Sequence, residues 1–129
     1  MAKISPQLQD QIMKLQQVQQ QVELLVNQRM QLERELKEIE RAMSELEQLD
    51  PTKDAVVYKT IGAILVKADK DKVKEELKDR KDTLEMRIKT ITRQEERAKS
   101  DYEEKRKVIQ SALQQPKMGD LGGGFPGPM

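Results

Sequence analysis

Counted in sevens, the first third of the chain carries a narrow apolar stripe. Leu8, Leu15, Val22, Arg29, Leu36 and Met43 occupy one position of the repeat, and Gln11, Val18, Leu25, Leu32, Ile39 and Leu46 occupy its partner. Ten of these twelve are apolar, and the positions between them are mostly polar. Such a stripe presents a seam that only another helix covers, which predicts a coiled-coil helix over about residues 6–49. Ser5 suits its N-cap and Pro6 its first helical position, where a missing N–H does no harm. Asp50-Pro51 ends it, because proline drives the preceding residue out of the α region and cannot continue the ladder.

The period then changes. Ala55-Val56-Val57-Tyr58-Lys59 and Ala63-Ile64-Leu65-Val66-Lys67 are short β-branched runs, which predict a β-hairpin over about residues 55–67. Between them Thr60-Ile61-Gly62 reads as a three-residue connection, with glycine last in a left-handed position. From Asp69, a candidate N-cap, to Gln115 the seven-residue spacing returns with Leu77, Leu84, Ile91, Ala98, Lys105 and Ala112. Ile88, Tyr102 and Ile109 follow three of these by four residues. Glu95 and Lys105 interrupt this second seam and the small Ala98 and Ala112 bury little, so its packing is expected to loosen away from the hairpin.

Glycine and proline confirm these divisions, since five of six glycines and three of five prolines lie after residue 115. Residues 1–115 are therefore read as one domain, and 116–129 as a flexible tail too glycine-rich to order itself. Two helices of about 45 residues are each about 65–70 Å long. Joined by a short hairpin they must run antiparallel, bringing both chain ends to the tip opposite it. The expected fold is mainly α: a long antiparallel two-helix coiled coil with one central β-hairpin.

Composition sharpens this picture. Of 129 residues 36% are charged and only Tyr58, Tyr102 and Phe125 are aromatic, which argues against a compact globular core. Residues 5–49 hold five basic and eight acidic groups, net −3, while 70–115 hold fourteen and eleven, net +3. That complementarity favours packing one segment on the other, although each surface pair contributes only about 0–1 kcal/mol. A net charge of +1 with interspersed signs gives neither nucleic acid nor an anionic membrane a reason to bind. There is no cysteine and no histidine, so disulfides, thiolate sites, the usual general base and the usual zinc ligand are all missing. Serines 5, 44, 100 and 111 have no neighbouring base, and no phosphate loop appears, so neither an enzyme nor a cofactor is expected. The opening Met1-Ala2-Lys3-Ile4-Ser5-Pro6 has no apolar core of signal-peptide length, and no stretch approaches a membrane span; a cytoplasmic protein is expected.

The hairpin raises the question of assembly. Two strands alone are marginal in water, and these are apolar on both faces with unpaired edges, so strands from other chains are expected to close a barrel around them. Val56, Val57, Tyr58, Ile61, Gly62, Ile64, Leu65 and Val66 form the expected oligomer interface.

The order helix, Asp50-Pro51, Ala55-Val56-Val57-Tyr58-Lys59-Thr60-Ile61-Gly62, Ile64-Leu65-Val66-Lys67, then Asp69-Lys70-Asp71-Lys72 opening a helix resembles the beta class of archaeal-type prefoldin subunits. The likeness covers about residues 5–113, and one hairpin instead of two fits the beta class. The resemblance implies a hexamer of two alpha-type and four beta-type subunits, its hairpins forming a central double barrel from which six coiled coils hang. It also implies ATP-independent capture of unfolded proteins at the tips and delivery to a group II chaperonin. Independently of the family, apolar residues near the chain ends leave the seam: Ile12 and Met13 on the first helix, Val108 beside Ile109 and Leu113 beside Ala112 on the second. With Ile4, Leu8 and Met118 these are the candidate client-binding residues, and Leu121, Phe125 and Met129 add apolar groups on the tail. Scattered exposed apolar residues are ordinary, so their clustering carries this reading. The competing class is a structural filament, in which hairpin edges pair without closing.

Overall fold

The computed structural model describes residues 4–49 and 56–114. Helix α1 spans Pro6–Glu47, strands β1 and β2 span Val57–Ile61 and Ile64–Ala68, and helix α2 spans Lys70–Gln114. The chain is thus mainly helical with one central antiparallel hairpin, the expected class. The boundary at Asp50-Pro51 and the tail from residue 116 lie outside the described residues.

Local chemistry starts both helices. Ser5 Oγ accepts a hydrogen bond from the Leu8 N–H at 3.1 Å, and the Ser5 carbonyl accepts the first helical bond from Gln9 at 2.9 Å. Ser5 therefore caps α1, with Pro6 at the first helical position. In α2 the Asp69 carbonyl takes the Val73 N–H at 3.0 Å, which places Asp69 at the cap position. α1 tightens as it ends, with the Leu49 N–H turning back to the Leu46 carbonyl, three residues away, at 3.3 Å.

The hairpin differs from its expected form at the turn. Ile61 pairs directly with Ile64, so the connection is Gly62-Ala63 and not Thr60-Ile61-Gly62. Gly62 leads this two-residue loop with φ at +60°. The reason is twist: primed two-residue turns match the right-handed twist of the flanking strands, and they need a positive φ at the first loop position, which glycine adopts without strain. Thr60 and Ile61 consequently extend β1, and Ala63 leaves β2.

The chain divides into two compact units. The hairpin unit, Asn27–Thr92, buries Leu32, Leu46 and Leu84, the last completely, with Leu36, Ile39, Met43, Leu77, Ile88 and Ile91 half-buried around them. Ion pairs flank this seam: Lys74 with Glu47 at 2.6 Å, Lys81 with Glu40 at 3.7 Å, and Arg80 with Glu35. Lys74 pairs with Glu47, whereas Arg80 and Lys81, further along α2, pair with residues further back on α1, so the helices run antiparallel here. The opposite net charges of the two segments are realised in these pairs.

The terminal unit, Met1–Val26 with Arg93–Met129, contains both ends of the chain. Val18, Leu25, Ala98 and Ile109 are buried, while Leu8, Leu15, Val22 and Tyr102 are half-buried. Glu95 does not leave the seam as its charge suggests; it is 5% exposed, with its carboxylate 2.7 Å from the Lys99 ammonium. The Lys99 side chain lies one turn on and is itself half in solvent, so it brings the countercharge from outside. Lys105 behaves alike, its stem half-buried and its ammonium 2.7 Å from Asp101.

Because Leu84 is wholly enclosed, Leu84→Ala removes packing and leaves a cavity, for an expected loss of about 2–5 kcal/mol. Met86→Ala, two residues away at a 70% exposed side chain, is expected to change stability by no more than about 0.5 kcal/mol. Urea denaturation followed by helical circular dichroism measures both. A second outcome concerns pH. Hydrogen bonding and attraction from Lys74 hold the Glu47 carboxyl below its ordinary value of 4.5, so its contribution is present above that pH and is lost as pH falls through the lowered value. Thermal melts of wild type and Glu47→Gln should therefore differ at neutral pH and converge in acid.

Candidate assembly face and client-binding surface

The hairpin concentrates exposed apolar surface. Directly opposed residues share a face, so Val57, Lys59, Ile61, Ile64, Val66 and Ala68 lie on one side and Tyr58, Thr60, Leu65 and Lys67 on the other. Leu65 is 70% exposed, Ile64 61% and Tyr58 60%, and Val56, Ile61 and Val66 are exposed too. Val57 and Ala68, at the base, are half-buried. Among the described residues the sheet has two strands only, so the outer edge of each offers unpaired backbone donors and acceptors. Of the expected interface residues, Val57, Tyr58, Ile61, Ile64, Leu65 and Val66 belong to the strands, Val56 stands just before β1, and Gly62 supplies the turn. A Cβ built on Gly62 meets nothing within 4 Å, so conformation alone makes glycine the suitable residue.

The expected client-binding residues separate on inspection. Ile4, Met13, Val108 and Leu113 are exposed, Met13 the most at 59%. Leu8 and Ile12 are half-buried, and Ile109 is buried in the seam. Met118 lies outside the described residues. Ile109 faces the core because its four-residue offset from Lys105 continues the stripe, whereas its neighbour Val108 falls one position off it. Beside Val108 runs an open groove of about 340 Å³ lined also by Gln11, Lys14, Asp101, Glu104 and Lys105. Val108 is its one apolar wall, which suits a broad contact and not an enclosed small molecule.

Charge in this unit is locally settled. Lys14 pairs with Asp10 at 3.1 Å and Arg106 with Glu103 at 2.9 Å. The Arg106 hydrogen bond holds the Glu103 carboxyl below its usual range and raises the guanidinium in turn. Sequence reading passed over Leu24, Met30 and Met86, all exposed, which heptad counting places away from the seam. It also passed over the Lys59–Glu76 pair at 2.8 Å, whose partners are seventeen residues apart and share no local pattern. No helix among the described residues is long and apolar enough to cross a membrane.

A narrow helical seam, with an exposed, two-edged hairpin between its two helices in the chain, defines a coiled-coil protein with an open sheet. The prefoldin subunit family model matches residues 9–116, and the chain belongs to that family. It is 44% identical over 112 residues to the prefoldin subunit beta of Methanosarcina acetivorans, covering 87% of this chain and 94% of that one. The prefoldin subunit beta of Thermococcus kodakarensis is 42% identical over 119 residues, 92% of this chain and 100% of that one. The crystal structure of the prefoldin beta subunit from Thermococcus strain KS-1 superposes with a TM-score of 0.78 at 42% identity, covering 88% and 97% of the two chains. The chain accordingly has a prefoldin chaperone function, and the filament alternative is not favoured.

Proposed function

We propose that this chain is a beta-type subunit that joins an alpha-type partner through its hairpin, in a hexamer of two alpha-type and four beta-type subunits. In that assembly it holds unfolded polypeptides by the apolar side chains of its terminal unit, without ATP, and passes them to a group II chaperonin. It works in the cytoplasm. The observation that carries the reading is the placement of exposed apolar groups. Tyr58, Ile61, Ile64 and Leu65 crowd the hairpin, while Ile4, Met13, Val108 and Leu113 belong to a different unit. One set serves assembly and leaves the other free for a client.

Clients differ in sequence, so capture must rely on a contact that needs no register. Burial of apolar surface is non-directional, and methionine adapts to many shapes. Fully burying one such side chain contributes about 1.5–3 kcal/mol, and these are already partly covered, so one subunit binds weakly. Several subunits engaging one chain convert weak contacts into useful retention, because later contacts form at high effective concentration. Release then follows from the weakness of each contact, and no nucleotide is required.

Replacing Met13, Val108 and Leu113 together with serine leaves the seam intact, since all three are exposed. Mixed with an alpha-type subunit, this variant should keep the wild-type native mass but suppress aggregation of a denatured client several-fold less well. Undiminished suppression by an intact assembly would place capture elsewhere. Ile109→Ser serves as the contrast: it lesions the buried seam and should lower stability itself.

A further inference from the structure

The two faces of the hairpin are chemically unequal. The face bearing Val57, Ile61, Ile64, Val66 and Ala68 has one polar member, Lys59. The opposite face carries Thr60 and Lys67 among its four residues, and Lys67 makes no ion pair among the described residues. Burying either face in an assembly removes its lysine from water, and an unpaired buried ammonium is strongly unfavourable. Lys59 alone has a remedy. Its ammonium meets both carboxylate oxygens of Glu76, at 2.8 and 3.2 Å, from the second turn of α2. Lys67, on a strand with an open edge, has the character of a charge kept in solvent, where it deters unwanted strand pairing.

We infer that the Val57, Lys59, Ile61, Ile64, Val66 and Ala68 face turns inward against the hairpin of another prefoldin-type subunit, and that Glu76 is the clasp that lets Lys59 go with it. The inference rests on hairpin-mediated assembly as proposed above and adds which side is covered and what makes covering it possible. The occupant it fits is a second apolar hairpin face: the exposed Ile61, Ile64 and Val66 supply aliphatic contact with no hydrogen-bonding side chain among them. Base positions Val57 and Ala68 are already half-covered by the chain itself, so a partner sheet extends a packing that the subunit has begun. Glu76 is a positioning residue here, because it acts through Lys59 and not by touching the partner.

The test is a titration of the full chain with an alpha-type subunit, read by native mass and sedimentation. Glu76→Gln strands the Lys59 charge and should weaken assembly about tenfold. The double variant Lys59→Met with Glu76→Gln removes both charges and should assemble as tightly as wild type, which a lesion of the helix surface would not allow. Lys67→Glu, on the outer face, should assemble normally. Circular dichroism confirms that each variant remains helical, as is expected for side chains already in solvent. The clasp is overturned if Glu76→Gln assembles like wild type, if the double variant stays as weak as Glu76→Gln, or if Lys67→Glu dissociates the complex. Failure of the wild-type chain to assemble is a different result: it overturns the proposed role and the clasp with it.

Discussion

Everything in this molecule depends on a seam one side chain deep. A chain that is 36% charged, with three aromatic residues, cannot wrap an interior in several layers, so aliphatic residues on α1 and α2 cover one another along a line. Among the described residues Leu84 is the one large side chain enclosed completely; the others keep some contact with water. Stability is therefore distributed over many modest contacts and not concentrated in a centre. Charges tune the arrangement without creating it. The pairs from Glu35, Glu40 and Glu47 to α2 line the flanks of the hairpin unit, where solvent limits what each contributes.

A seam of this kind has no capacity to shelter anything else. The hairpin between the helices keeps both faces open, and the terminal unit leaves Met13, Val108 and Leu113 in solvent. In a globular domain such exposure marks a defect or an interface. Here it follows from the architecture: apolar groups that the line of contact cannot reach are available to other chains. In the proposed function, partner subunits need fixed geometry, which strand edges supply, and clients need indifference to sequence, which aliphatic and thioether side chains supply. On that proposal the two tasks fall to different units.

The helices, their seam and the capping role of Ser5 were legible because each is a local or periodic signal. Heptad spacing names the buried face, and Ser-Pro names the start. The hairpin was legible as an element but not in its turn, since Thr60-Ile61-Gly62-Ala63 is compatible with glycine closing a three-residue loop or opening a two-residue one. Only the pairing of Ile61 with Ile64 decides. Among candidate site residues, Met13, Val108 and Leu113 lie where their off-seam spacing puts them, but Ile109 was grouped with its neighbour and proves to be core. Glu95 occupies the seam position where its spacing puts it. Charge predicts exposure, yet a lysine one turn away allows a carboxylate to remain in the seam. The Lys59–Glu76 contact joins a strand to a helix and has no periodic trace at all.

The Gly62-Ala63 loop has a consequence for inheritance. Because side chains alternate along a strand, one extra residue on either side of that loop would invert the strand that carries it, bringing Thr60 or Lys67 to the side now held by aliphatic groups. Substitutions within the strands can drift by small steps, but length cannot. Descendant sequences are thus free to vary the helices by whole heptads while being held, at this one bend, to a fixed count.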